Sequence, residues 1–348
     1  MKLIYASLMF ATLTACGGGG GTGDSGITPT GPIGGGTGNS SEIITYTSGD
    51  YYTFKNERTT IKNGVEISKT ISYYTYTIKD PQPDGSHQRY ETSSVSQIVL
   101  DSYNKNNFRF SENYQTSSCT STDGLDNPTF QMQIGQKWDS KYSKKCIPES
   151  AGLPSDFHST GTITSKDLIK TEAGDFIAYK ADRTREQVSL STSSTSSTLK
   201  GSCWYDEKTS IIVMCDQTTF SSPTTAANSD ATEFKTKITL IGINAKNHPT
   251  KKLSAASFYG KWQVKFSGQQ AGQCLADVLP DGDVKGDCST QFEAFSIAGK
   301  ITPNGAFDLT GTNGVKFLGN LSTPIESGGT WSANSSNQTL GTWTANHL

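Results

Sequence analysis

No window of this chain keeps a sustained 3.6-residue apolar period, and that absence constrains the fold more than any motif does. What recurs instead are short stretches rich in β-branched and aromatic residues, broken by glycine, proline, Asn-Gly and Asp-Gly. Tyr51–Ile61 and Val65–Ile78 flank Asn63-Gly64, the strongest short-range signal for a hairpin with a type I′ turn. Along the second of these strands Tyr74, Tyr76 and Ile78 fall on one side, and Ile71, Tyr73 and Thr75 on the other. The tyrosines read as strand formers rather than as a ligand platform. Composition agrees: 18% charged and 33% hydrophobic residues, with 35 glycines, suit many short strands and polar turns. A chain of 348 residues is long enough for two domains with separate cores.

Residues 42–244 read as an antiparallel β domain of about nine or ten strands, with Asp84-Gly85 and Asn104–Asn107 marking further turns. Residues 245–257, carrying Lys246, His248, Pro249, Lys251 and Lys252, read as a polar linker with solvated lysines. Residues 258–348 form a run of about eight short strands, the pattern of an up-and-down barrel or a tightly curled meander. Separate strands are expected near Phe292–Ala298 and Lys300–Thr302. The expected fold class is all-β, an antiparallel sheet or half-barrel domain followed by a small, roughly eight-stranded β-barrel.

Hairpin spacing organises the cysteines. Cys203 and Cys215 are symmetric about Thr209, which sets Trp204 opposite Met214 and Tyr205 opposite Val213. Cys274 and Cys288 are symmetric about Asp281, with Val278 opposite Val284. Both pairs read as cross-strand staples, leaving Cys119 and Cys146 to close the longer loop that contains Trp138. Metal binding is the rival use, and the sequence speaks against it: there is no CxxC, and His87, His158, His248 and His347 are scattered.

Ahead of all this lie Lys2 and an apolar run from Leu3 to Leu13, the length of a signal-peptide core and too short to span a bilayer. Leu13-Thr14-Ala15-Cys16 follows and resembles a bacterial lipobox. The resemblance implies cleavage of residues 1–15 and lipid attachment at Cys16, through which the protein is held to a membrane. In bacterial lipoproteins an aspartate after the anchor cysteine commonly signals inner-membrane retention; Gly17 in that place implies the outer membrane. Residues 16–41 are a Gly-rich tether, with an r.m.s. reach of roughly 25–30 Å. No later segment has the apolar run of a spanning helix.

Two further resemblances bear on the domains. Thr171-Glu172-Ala173-Gly174-Asp175-Phe176 and Trp204-Tyr205-Asp206-Glu207-Lys208-Thr209-Ser210-Ile211-Ile212-Val213 resemble the "AGxF" strand and "WYxxxTGxxV" hairpin of a periplasmic β-sheet family, with Ser210 where that family has glycine. A half-barrel similar to lipoprotein carriers is implied. Phe317-Leu318-Gly319, Ile325-Glu326-Ser327-Gly328-Gly329-Thr330-Trp331 and Gly341-Thr342-Trp343-Thr344-Ala345 resemble the closing strands of the barrel in transferrin-binding-protein-B-like and factor-H-binding-like surface lipoproteins. The sequence departs from that pattern where Pro324 and Ile325 flank the place of its alanine, where Trp331 and Trp343 replace phenylalanine, and where Thr344 replaces the second glycine of the last strand.

Sites of chemistry are scarce. Gly23-Asp24-Ser25-Gly26 copies a serine-protease motif but lies in the Gly tract, without the rigid frame that chemistry needs. Asp281-Gly282-Asp283 opens a loop with a calcium-site look, yet Lys285 holds a ligand position and Phe292 stands where a glutamate is required. There is no HExxH, GxSxG or P-loop. A net charge of −2 offers no footprint for nucleic acid. The sequence reads as a non-enzymatic outer-membrane lipoprotein without cofactor, displayed at the surface, its partner an extracellular or envelope protein. The alternative is a periplasm-facing lipoprotein for envelope assembly or apolar cargo, which needs an open apolar cavity in the first domain.

Overall fold

A computed structural model describes residues 46–93, 99–104, 108–114, 116–122, 124–128, 131–148, 154–189, 194–221, 232–333 and 338–348. The lipobox, Cys16, the tether and Gly23-Asp24-Ser25-Gly26 lie outside the described residues. The described part is all-β, in two closed antiparallel barrels.

The first barrel is built from β1 (Tyr51–Lys62), β2 (Val65–Lys79), β3 (His87–Ser93), β4 (Val99–Tyr103), β5 (Arg109–Asn113), β6 (Ser118–Ser121), β7 (Lys137–Ile147), β8 (Ser155–Thr171), β9 (Gly174–Ser189), β10 (Ser194–Asp206), β11 (Ile212–Ser221) and β12 (Thr232–Asn244). Each strand pairs with its sequence neighbours, and β1 closes the ring on β12 from Tyr51 opposite Asn244 to Lys62 opposite Thr232. The expected sheet of about nine or ten strands is thus twelve strands, and the expected half-barrel is closed. Asn63 and Gly64 carry φ of 53° and 78°, the two positive values a type I′ turn requires. Tyr52, Phe54, Tyr76 and Ile78 turn inward with Leu240 and Ile243, forming the apolar end of the core.

The long strands are bent by bulges, such as that between Ile163 and Ser165 on β8. Opposite it, Ala178 and Ala181 are both buried although three residues apart, so the inward parity changes within β9. A second bulge between Trp204 and Tyr205 corrects the hairpin register: Tyr205 faces Ile212, not Val213. The turn absorbs the shift, with the Ser210 N–H donating to the Asp206 carbonyl and Ser210 at φ 56°.

Residues 245–257 are not solvated throughout. His248 and Ser257 are buried, Lys252 bridges back to Ile243, and the Ser257 hydroxyl bonds Thr53 at 2.7 Å. Lys246, Lys251 and Lys252 stay exposed. A short 3₁₀ turn, Ala255–Phe258, then leads into the second barrel.

That barrel comprises β13 (Gly260–Gly268), β14 (Gly272–Val278), β15 (Asp283–Thr290), β16 (Ala294–Ile301), β17 (Ala306–Gly311), β18 (Val315–Asn320), β19 (Glu326–Ala333) and β20 (Thr339–His347). β16 is one continuous strand where two short ones are expected, and Phe292 stands exposed in the turn before it. Trp262, Phe266, Phe295, Phe317, Trp331 and Trp343 fill the interior. Trp343 lies over Gly319 and Gly329, where added Cβ atoms would meet its ring at 2.4 and 2.6 Å. Its indole N–H donates to the carbonyls of Leu318 and Thr330, so the buried ring keeps its polar end satisfied.

Candidate functional site

The first lumen is apolar at one end and charged along β3, β4 and β5. Alternation puts His87, Arg89 and Glu91 on the inner face of β3, opposite Tyr103, Asp101 and Val99 of β4. His87 stacks on Tyr103 with ring centroids 5.0 Å apart, and the Arg89 guanidinium lies 3.6 Å from the Tyr103 ring centroid. Arg109 joins two buried carboxylates, bonding Asp101 at 3.2 Å and pairing with Glu112. Lys144, reaching in from β7, bonds Glu112 at 2.7 Å, and the Tyr114 hydroxyl donates to the same carboxylate at 2.8 Å.

These environments set the charges. Burial would raise the Glu112 carboxyl, but Arg109 and Lys144 outweigh it and hold it below the ordinary range. Desolvation, with Asp101 and Glu112 close by, pushes the Glu91 carboxyl up to about 8. Desolvation and the neighbouring Arg89 push His87 down to about 3.

A loop segment occupies the lumen beside this cluster. Asp126 and Asn127, between β6 and β7, are buried. Arg183 donates to the Asp126 carbonyl and, at 3.0 Å, to the Asn127 side chain. Arg185 bonds the Asp126 carboxylate at 3.0 Å, and Tyr205 donates to Asn127 at 2.6 Å. Charged groups in the lumen are therefore held by opposite charges and hydrogen bonds from three elements. In the pocket formed with Phe54, Tyr76 and Arg89, the space left is about 20 Å³; in the second barrel it is about 30 Å³.

Three disulfides staple the barrels: Cys119–Cys146 between β6 and β7, Cys203–Cys215 between β10 and β11, and Cys274–Cys288 between β14 and β15. Loops of 12 to 27 residues contribute roughly 3 kcal/mol each in the chain-entropy model. His248 bonds Asp206 at 3.3 Å, His347 bonds the Tyr259 carbonyl and His158 bonds Asp139, so the histidines serve separate local roles. Asp281 caps its own turn by accepting the Asp283 N–H. Among the described residues no group of three acidic, histidine or cysteine side chains is placed to hold a metal, and no helix is long and apolar enough to cross a membrane.

The large concavity lies on the outer wall of the first barrel, an open groove of about 800 Å³ across β7, β8, β9 and β10. Its sides are two rows of outward residues: Lys137, Thr162, Asp182 and Ser202 on one, Asp139, Thr160, Thr184 and Lys200 on the other. Gly161 and Gly201 lie on the row between, on either side of Arg183. A Cβ on Gly161 would sit 2.0 Å from the Trp138 ring, and one on Gly201 2.3 Å from the Asp216 carbonyl. Only glycine lets the sheet sag there. Neither the groove nor the charged lumen was legible as a site. The available signal was the period-two placement of Arg89 with Glu91 and of Arg183 with Arg185 and Gln187.

Fold and groove define a two-barrel all-β protein whose open surface is external. No family model matches the chain, and no curated protein matches it. Among solved structures it is similar to a Bacteroides fragilis protein described as exported and of YmcC-like fold: 12% identity, 59% of this chain, 99% of that chain, TM-score 0.34. The hypothetical lipoprotein YmcC from Escherichia coli is matched at 9% identity over 53% of this chain and 83% of its own, TM-score 0.28. A Parabacteroides distasonis protein described as a lipoprotein is matched at 11% identity over 60% of this chain and 100% of its own, TM-score 0.30. At such scores the likeness carries nothing about what this chain binds or where it acts.

Proposed function

We propose that this protein is a lipid-anchored component of the bacterial outer membrane, attached through Cys16, and that its barrels form a non-enzymatic binding module working through their outer surfaces. The observation that carries the reading is the filling of the described lumens: the loop at Asp126 and Asn127 packs into one, and six large aromatic side chains into the other. Apolar-cargo handling needs an open apolar cavity, and the charged row of Arg89, Asp101, Arg109 and Glu112 runs through the place where one would lie. Recognition is thereby left to external faces and loops. The anchor and the membrane are supported by the run Leu3–Leu13, by Leu13-Thr14-Ala15-Cys16 and by Gly17.

Protease treatment of intact cells beside gently lysed cells tests the placement, with an antibody against the second barrel as readout. Loss of signal from intact cells is expected for display at the surface. Loss only after lysis would overturn that display and favour the periplasm-facing, envelope-assembly reading. Replacement of Cys16 by serine is expected to release the protein from the membrane fraction.

A further inference from the structure

We infer that the outer groove of the first barrel is a binding site for a neutral oligosaccharide. The inference rests on the reading of an externally binding module and names its ligand class. The hydroxyls of Thr160, Thr162 and Thr184 line the groove and have no hydrogen-bond partner among the described residues. Each hydroxyl both donates and accepts, as a sugar hydroxyl does. Thr160 and Thr184 are direct cross-strand neighbours, so they repeat at the strand spacing of about 4.8 Å, a step that a chain of pyranose rings can follow across the sheet.

Charge and shape exclude the other classes. Asp182 is paired with Lys180 at 3.2 Å and accepts from Ser202, and Asp139 pairs with His158 at 2.8 Å. With Lys137 and Lys200 on the rims, positive and negative groups alternate, so neither an anionic nor a cationic ligand finds a concentrated field of opposite sign. Trp138 is on the lining but only 7% exposed, its ring packed against Gly161, which leaves little aromatic surface to receive a lipid tail. An extended peptide adds to a sheet through a free edge, and a closed barrel has none. Hydroxyl-rich, uncharged chains remain.

The test is a calorimetric and protein-observed NMR titration of the purified full chain in detergent with maltotriose, cellotriose and chitotriose, and with trialanine as the peptide probe. Binding of at least one trisaccharide is expected at roughly millimolar Kd or tighter. The Thr160→Val/Thr184→Val double variant is expected to weaken it at least about tenfold, while Thr310→Val on the second barrel leaves it unchanged. Matching thermal unfolding of the variants establishes that they fold, and the single Thr162→Val variant serves if the double one does not. No trisaccharide binding at about 20 mM, binding untouched by the groove variants, or binding of trialanine alone would each overturn the inference. Because the titration uses purified protein and the protease experiment uses cells, either reading can fail without the other.

Discussion

Ser210 holds a backbone conformation that L-residues adopt at a cost. Its φ of 56° is left-handed, and its hydroxyl is buried without a hydrogen-bond partner among the described residues. Glycine removes both penalties, since it enters that region freely and carries no hydroxyl, although it adds some freedom to the unfolded chain. Ser210→Gly is therefore expected to stabilise the protein by about 1 kcal/mol. Urea unfolding followed by circular dichroism checks this: the midpoint rises with the slope unchanged. A lower midpoint would mean that the hydroxyl is used in a way the geometry does not show. The same hairpin marks the limit of reading single residues. Cys203 and Cys215 are legible as partners because their spacing about a turn is symmetric, whereas the bulge that moves Tyr205 onto Ile212 leaves no mark in the sequence.

At the level of strands, β3 sets a pH window. His87 is depressed from 6.5 to about 3, so the unfolded chain takes up its proton first as pH falls, and stability is lost between 6.5 and 3. Glu91 is raised from 4.5 to about 8, so the native state keeps a proton that the unfolded chain has released, and stability is lost as pH rises from 4.5 to 8. Each effect has a slope of at most about 1.4 kcal/mol per pH unit. Between 4.5 and 6.5 the two oppose each other, which predicts a plateau with a falling limb on either side. Unfolding midpoints measured from pH 3 to 9 test this. Glu91→Gln is expected to flatten the alkaline limb and leave the acid one; an unchanged alkaline limb would reassign it. Strand type and the Asn63-Gly64 turn are legible because alternation and turn chemistry are local. The inward charges of β3, β4 and β5 are not, because alternation read from hydrophobicity alone assigns Arg89, Asp101 and Arg109 to solvent, and only closure of the sheet turns them inside.

For the whole molecule, closure follows from an even strand count: twelve antiparallel strands return the chain to the end where it began. Residues before Tyr51 and the connection after Asn244 leave from that same end, on adjacent paired strands. Asp50 bridges them, accepting the N–H groups of Thr47 and Lys246 at 2.8 Å each. A pull between the chain ahead of Tyr46 and the second barrel thus loads β1 and β12 as a zipper, one ladder bond after another rather than all together in shear. The Asp50 carboxylate is the first tooth of that zipper. Single-molecule stretching in this direction should show a rupture force that falls in Asp50→Ala, while pulling from Asn63 to the second barrel should be far less sensitive to it. The mechanical weak point of the first barrel is then set by one aspartate, at the end where its first and last strands leave side by side.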